Sequence, residues 1–329
     1  MHLDPLLIIF LFIALLFDFL NGFHDSANVV ATVIASRAMS PRIALVITAL
    51  GNFAGPFLFG VAVATTIGNE VVSEQAVTVP TAMAALLAAI IWNIATWWLG
   101  IPSSSSHALV GGFIGSAVMG YGFDAVQPSG VIKVFLALFA SPILGLAIGW
   151  LIMGFFLAIG QGLSPGINKF FLKGQWLTSI SLGLSHGTND AQKTMGIMTL
   201  GLVAFGVLPK FEVQAWVIAA SASAIALGTA IGAWRLIRTI GAGFYRVRAV
   251  HAFSSQIAST SVILGAAILG GPVSTTQVIN STIVGAGAAE RINKVRWGLA
   301  GQILMAWILT IPSTGLLGAL IFSAVKYMS

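Results

Sequence analysis

A succession of apolar stretches, each about as long as a bilayer is thick, leaves this chain of 329 residues few folds to choose from. They run at about residues 5 to 36, 43 to 67, 79 to 99, 104 to 121 and 131 to 157. They recur at about 175 to 206, 214 to 237, 251 to 269, 274 to 288 and 297 to 325. Roughly twenty helical residues cross a hydrocarbon layer of about 30 Å, so the expected fold class is an all-α polytopic membrane protein. Only 7% of the residues are charged, against about a quarter in a soluble domain, too few to wet a globular surface. The net charge of +6 comes from scattered basic residues that form no basic domain, which argues against a nucleic-acid partner. With no cysteine there is neither a disulfide framework nor a thiolate metal site. The start, Met-His-Leu-Asp-Pro, lacks a basic signal-type region, and His2 there carries no assignment. The first apolar run therefore reads as the first membrane helix.

The two sets of stretches repeat one another. Gly22-x-His24-Asp25-x-Ala27-Asn28 lies 165 residues before Gly187-x-Asn189-Asp190-x-Gln192-Lys193. Pro102-x-Ser104-Ser105-Ser106-His107 lies 170 residues before Pro272-x-Ser274-Thr275-Thr276-Gln277. Nearly equal offsets indicate an internal duplication. The first run of each set is too long for one straight crossing and carries glycine and polar residues at 21–25 and 185–190, which predicts a broken helix. The short third and fourth runs, joined at Gly100-Ile101-Pro102 and Gly270-Gly271-Pro272, predict a re-entrant hairpin. The expected organisation is repeat 1 over 1–160, with its broken helix at about 5–36 and hairpin at about 79–121. A cytoplasmic linker follows over 161–174. Repeat 2 covers 175–329, with its broken helix at about 175–206 and hairpin at about 251–288. Three crossings and a hairpin per repeat is an odd count, so the second repeat lies inverted relative to the first.

Charge placement agrees with that topology. With both termini outside, the inner loops hold Arg37, Arg42, Lys169, Lys173 and the basic residues from Arg235 and Arg238 through Arg246 and Arg248 to Arg291, Lys294 and Arg296. Lys133, Lys210 and Lys326 alone fall outside. The arginines near 235–248 are most simply topology determinants, although such a patch could dock an acidic partner or anionic lipid.

A charge in hydrocarbon costs roughly 2.5–3.5 kcal/mol on insertion scales, so Asp25, Asp190 and Lys193, with Asp18 nearer the outer end, need a reason to be there. The plain reading makes the aspartates caps and Lys193 a structural lock. The functional reading brings two repeat-related aspartates together near the midplane, where they bind a small cation or a proton. Each hydroxyl cluster follows a proline break and opens a helix, gathering free N–H groups, the positive end of the helix dipole and several hydroxyl donors. Ser and Thr in membrane helices often bond back to their own turn, but two clusters at equivalent positions favour an oxyanion site. Paired tips suit a tetrahedral oxyanion, and carboxylates beside them can accept a hydrogen bond from one that still carries a proton. Phosphate does at neutral pH, and sulfate does not. His107 and Gln277 follow the clusters, where a polar contact in the hairpin and a ligand role are equally open.

Gly22-Phe23-His24-Asp25-Ser26-Ala27-Asn28 and His186-Gly187-Thr188-Asn189-Asp190-Ala191-Gln192-Lys193, with the Pro-x-Ser-Ser/Thr-Ser/Thr elements, resemble the signatures of the inorganic phosphate transporter (PiT) family, in its short prokaryotic form. The resemblance covers essentially the whole chain. It implies a homodimeric inverted-repeat transporter of the cell membrane that imports phosphate by symport with H⁺ or Na⁺ and needs no enzymatic cofactor. Carried over by motif, Ser104, Ser105, Ser106, Ser274, Thr275 and Thr276 contact phosphate. Asn28, Asn189 and Lys193 join them, and Asp25, Asp190 and His24 carry the coupling cation. His24 and Lys193 replace the commoner asparagines. A His–Asp pair and an ammonium in place of an alkali ion lean towards protons, while Na⁺ at Asp25 and Asp190 and uptake of a metal–phosphate complex stay open. Some short members work with a PhoU-type regulatory protein.

Other classes fit less well. A sulfate or other oxyanion permease on this fold has no use for the carboxylates. An intramembrane hydrolase using a serine with His107 or His186 lacks a glycine-flanked nucleophile. A channel has no need of paired half-helix tips.

Overall fold

The computed structural model describes residues 4–101, 103–161, 164, 166–234, 237 and 245–328; Pro102, Arg235, Arg238 and His2 lie outside them. The described residues form long helices in two sets. The first holds α1 (Pro5–Ala35), α2 (Pro41–Leu58), α3 (Ala62–Asn69), α4 (Val79–Leu99), α5 (Ser105–Tyr121) and α6 (Pro128–Gly160). The second holds α7 (Ile167–Ala204), α8 (Ala215–Ile231), α9 (Ala249–Ile268), α10 (Thr275–Glu290) and α11 (Trp297–Met328).

Local chemistry starts these helices where the sequence calls for it. Asp4 accepts from Leu6 N at 2.9 Å ahead of Pro5, and Ser40 accepts from Ile43 N at 3.4 Å ahead of Pro41. The two hairpins are built alike. Gly100 and Gly270 take left-handed φ of 72° and 73° at their turns. Ser104 and Ser274 then cap the returning helices by accepting from His107 N (3.1 Å) and Gln277 N (3.3 Å).

Among the described residues, five helices are long and apolar enough to cross a membrane: α1, α2, α4, α6 and Ile303–Tyr327 of α11. Large apolar side chains face outward along α6 (Ile132, Leu136, Phe139, Ile143) and α11 (Leu304, Ile308, Leu316, Leu320). Among its apolar core the interior also holds Asp, His, Asn, Gln, Lys, Ser and Thr side chains. An apolar exterior around buried charged and amide groups is the arrangement of a multi-pass membrane protein.

Packing pairs the two sets by exchange. Helix α1 lies against α8 and α7 against α2; α5 packs on α11 and α10 on α6; α4 meets α11 and α9 meets α6. Each set thus completes the other.

Three expectations are corrected. First, α1 and α7 run unbroken through 21–25 and 185–190. The glycines there serve close crossings: a Cβ on Gly22 would sit 2.1 Å from Ile225 O, and one on Gly187 2.3 Å from Asn52 O. Thr276 and Ser105 meet Asp25, Thr275 meets Asp190, and Ser185 and Thr188 bond back to Ser181 O and Leu184 O of their own helix, so the backbone need not unwind. Second, the interruption falls in the second run, between α2 and α3 at Phe59–Val61, where Gly60 has φ 79°. Gln192 of α7 fills it, donating to Gly60 O (2.7 Å) and accepting from Val63 N (2.8 Å) and Ala64 N (3.2 Å). Third, α7 begins at Ile167, inside the expected linker, because Phe170 and Phe171 pack against Phe253, and Phe171 also against Phe156.

One backbone feature stands out at the end of α1. Arg37 has φ 61°, and the turn bonds Arg37 N to Ile34 O (3.0 Å) and Ala38 N to Val33 O (3.1 Å). This is a Schellman stop with arginine at the place glycine favours, a conformation costing an L-residue roughly 1–2 kcal/mol.

Candidate functional site

The signature segments of α1 and α7 meet the tips of both hairpins at one buried point, where Asp25, Asp190, Lys193 and the described residues of both hydroxyl clusters are at most 3% exposed. The helical period puts Asp25 and Asn28 on one side of α1, and His186, Asp190 and Lys193 on one side of α7. Each aspartate clamps a tip. Asp25 Oδ1 accepts from Thr276 Oγ1 (2.8 Å), Asn28 Nδ2 (3.2 Å) and His24 Nδ1 (3.2 Å), and its Oδ2 accepts from Ser105 Oγ (3.4 Å). Asp190 Oδ2 accepts from Thr275 Oγ1 at 2.8 Å, and its Oδ1 pairs with Lys193 Nζ. Asp25 therefore holds both hairpins, and Asp190 holds the second.

Lys193 ties the tips together. Its ammonium donates to Ser106 Oγ (2.6 Å) on the first and to Val273 O (2.9 Å) on the second. Ser106 Oγ also donates to Val273 O at 3.1 Å, so the tips touch. Asn28 Nδ2 reaches Thr276 Oγ1 at 3.0 Å.

Other expected residues stand at the edge. Ser104 and Ser274 spend their side chains on the helix caps, and Ser104 Oγ also contacts His107 Nδ1 at 2.7 Å. As caps their oxygens accept, so the Ser274 hydroxyl proton is still available to a ligand. Asn189 donates to Gly271 O at 3.2 Å, holding the second turn. His24 lies beside Asp25, and it lines an apolar cavity of about 380 Å³ with Phe23, Asn93 and Trp97. His107 and Gln277 face each other across the tips at 3.4 Å.

The sequence reading gave His186 no transport role, yet it sits between the carboxylates. Its Nε2 lies 3.1 Å from Asp190 Oδ2 and 4.0 Å from Asp25 Oδ2, without hydrogen-bond alignment. Its Nδ1 is 3.0 Å from Asn52 Oδ1, and Asn52 is in turn held by Thr229 (2.7 Å). One ligand atom from each of Asp25, His186 and Asp190 lies within 4.8 Å of the others, close enough to share a cation. The signal available in the sequence was the spacing His186–Asp190, one helical turn.

This grouping of paired carboxylates, an ammonium and two hydroxyl-rich helix tips can bind an oxyanion and a cation together. Comparisons with known proteins agree with its setting. The model of the Phosphate transporter family matches the chain twice, over residues 21–164 and 160–318. A Bacillus subtilis (strain 168) protein named "Probable low-affinity inorganic phosphate transporter" is 40% identical over 97% of this chain and 98% of its own length. A Rhizobium meliloti (strain 1021) protein of the same name is 40% identical over 97% of this chain and 96% of its own. The fold matches a solved structure titled "The sodium-dependent phosphate transporter" with TM-score 0.89 at 22% identity, over 99% of this chain and 100% of that one. Matched over most of its length by that family model and by relatives at 40% identity, the chain belongs to the phosphate transporter family.

Proposed function

We propose that the protein imports inorganic phosphate by cation symport, with protons favoured, through alternating access of two inverted halves in the cell membrane. The observation that carries this reading is the clamp itself: Thr275, Thr276 and Ser105 donate to Asp190 and Asp25. An oxyanion entering between the tips takes donors that the carboxylates now hold. It also meets their charge, and like charges about 4 Å apart repel by roughly 4 kcal/mol at an effective dielectric constant of 20. Neutralising a carboxylate therefore has to accompany anion binding, which is coupling in physical terms. Lys193 already compensates Asp190, leaving Asp25, with His24 at 3.2 Å, to take the coupling proton. Monohydrogen phosphate can donate its own proton to a carboxylate. Sulfate cannot, which disfavours the sulfate permease.

A second reading, Na⁺ as the coupling ion, has its own support in the approach of Asp25, His186 and Asp190. The exchange packing suits inverted repeats, in which the hairpin tips approach the midplane from opposite sides and both termini lie outside. The apolar outer faces of the helices allow a homodimer, and the basic inner loops suit a PhoU-type regulator.

The test is radiolabelled phosphate uptake into proteoliposomes under separate Na⁺ and pH gradients, with sulfate as competitor and Asp25→Asn alongside. Accumulation driven by an acid exterior without Na⁺, lost in Asp25→Asn, is expected. A strict Na⁺ requirement transfers the coupling role to the second reading, and no gradient-driven uptake by the wild type ends the proposal.

A further inference from the structure

Beyond the clamp, α1 leads to a second concentration of positive charge. A cavity of about 960 Å³ opens at its end, lined by Arg37, Arg246, Arg248 and Arg296 together with Ser36 and Tyr245. It reaches up α1 as far as Ala31, one turn beyond Asn28, which bonds Thr276 in the clamp. Arg248 is paired with Glu290 at 2.7 Å, whereas Arg37 and Arg246 have no carboxylate within 4.0 Å among the described residues.

The stretch between cavity and clamp is polar although buried. Gln256 Nε2 donates to Thr32 Oγ1 and Ser179 Oγ, both at 3.3 Å, and its Oε1 accepts from Thr178. One turn farther, Gln175 Oε1 accepts from Ser36 Oγ at 2.6 Å, and its Nε2 reaches Ala249 O at 3.3 Å. These side chains join α1, α7 and α9 with hydrogen bonds that small shifts can exchange. The strained Arg37 backbone is a third, independent observation. Glycine would relieve it, yet the position places a guanidinium at the mouth of the cavity.

We propose that this cavity is a second, inner station for the transported oxyanion, connected to the clamp through Thr32, Gln256 and Gln175. The proposal rests on the phosphate reading above. Guanidinium groups suit a tetrahedral oxyanion through their forked donors, and their exposure keeps the hold weak enough to release it. The same chemistry would accept the phosphate of an anionic lipid headgroup, so the experiment separates the two sources.

Phosphate exchange is measured at graded concentrations in sealed right-side-out and inside-out vesicles, for the wild type, Arg37→Gly and Arg246→Gln. The ratio of inner to outer half-saturation should rise roughly two- to five-fold per variant, the range for one exposed charge pair. Arg37→Gly should unfold at no lower temperature than the wild type, because glycine adopts φ 61° without strain. In nanodiscs of uncharged lipid, phosphate should stabilise the wild type more than either variant. An unchanged ratio overturns the station. So does stabilisation by phosphatidylglycerol with none by phosphate, which makes the cavity a lipid site. Wild-type vesicles that exchange no phosphate refute the transport reading itself, a result distinct from a sound wild type with unshifted variants.

Discussion

Replacing Lys193 with methionine tests whether the clamp is an electrostatic unit. The ammonium is 1% exposed and serves Asp190, Ser106 and Val273 at once, so methionine, one atom shorter, keeps most of the stem and removes every donor. Asp190 then keeps only Thr275 and the misaligned His186 beside it. Removing one member of a buried ion pair typically costs about 3–5 kcal/mol, mostly from the charge left behind. Neutralising that charge should recover most of the loss, so Lys193→Met with Asp190→Asn should lie within about 1–2 kcal/mol of the wild type. Unfolding in mixed micelles titrated with denaturing detergent reads all four proteins of the cycle. A double variant as unstable as Lys193→Met would refute the reasoning, because the cost would then come from lost packing at the tips. A stable double variant should still fail to accumulate phosphate.

Two further outcomes follow from other parts of the molecule. Gly187→Ala places a methyl carbon 2.3 Å from Asn52 O, so α7 must move off α2; the folded yield on size exclusion should fall sharply, and normal yield and uptake would show the crossing to be loose. At the start of α9, the His251 ring stays neutral, accepting from Arg248 N at Nδ1 and donating to Glu290 at 2.7 Å. Burial and the Arg248 charge bring its pKa down from 6.5 to about 4. A folded pKa lowered in this way gives stability that is present above pH 6.5 and is lost as pH falls towards about 4. Burial raises the Glu290 pKa, but Lys294, His251 and Arg248 outweigh it and hold the carboxyl at about 2, so its own contribution fades only below about pH 4.5. Thermal midpoints of the wild type should drop between pH 6.5 and 4, and His251→Gln should flatten that limb; an equal drop in the variant would place the titration elsewhere.

The repeat made the centre of the site legible before any coordinates. Asp25 and Asp190, and Ser105, Ser106, Thr275 and Thr276, singled out by two recurring motifs, come together in the structure. His186 was harder to see, since its repeat counterpart is Asn21 and nothing local tells a buried bridging histidine from a satisfied one. The unbroken α1 and α7 escaped for a related reason. Glycine beside polar residues signals unwinding or close crossing equally well, and the neighbour that decides, α8 for Gly22 and α2 for Gly187, is remote in sequence. Gln192 likewise belongs to the motif by sequence but serves the α2–α3 break, which only the fold brings beside it.

Exchange packing also sets an order of events during biogenesis. Helix α1 brings Asp25 and Asn28 into the bilayer, while Thr276, which bonds both, lies about 250 residues downstream. At 5–20 residues per second, synthesis of that interval takes roughly 13–50 s. For that time the Asp25 carboxylate and the Asn28 amide lack the hydroxyl that finally meets them. The nascent first half must therefore wait at the insertion machinery or in contact with a chaperone, and chains stopped after α6 should be cleared by membrane proteases rather than accumulate as a folded half.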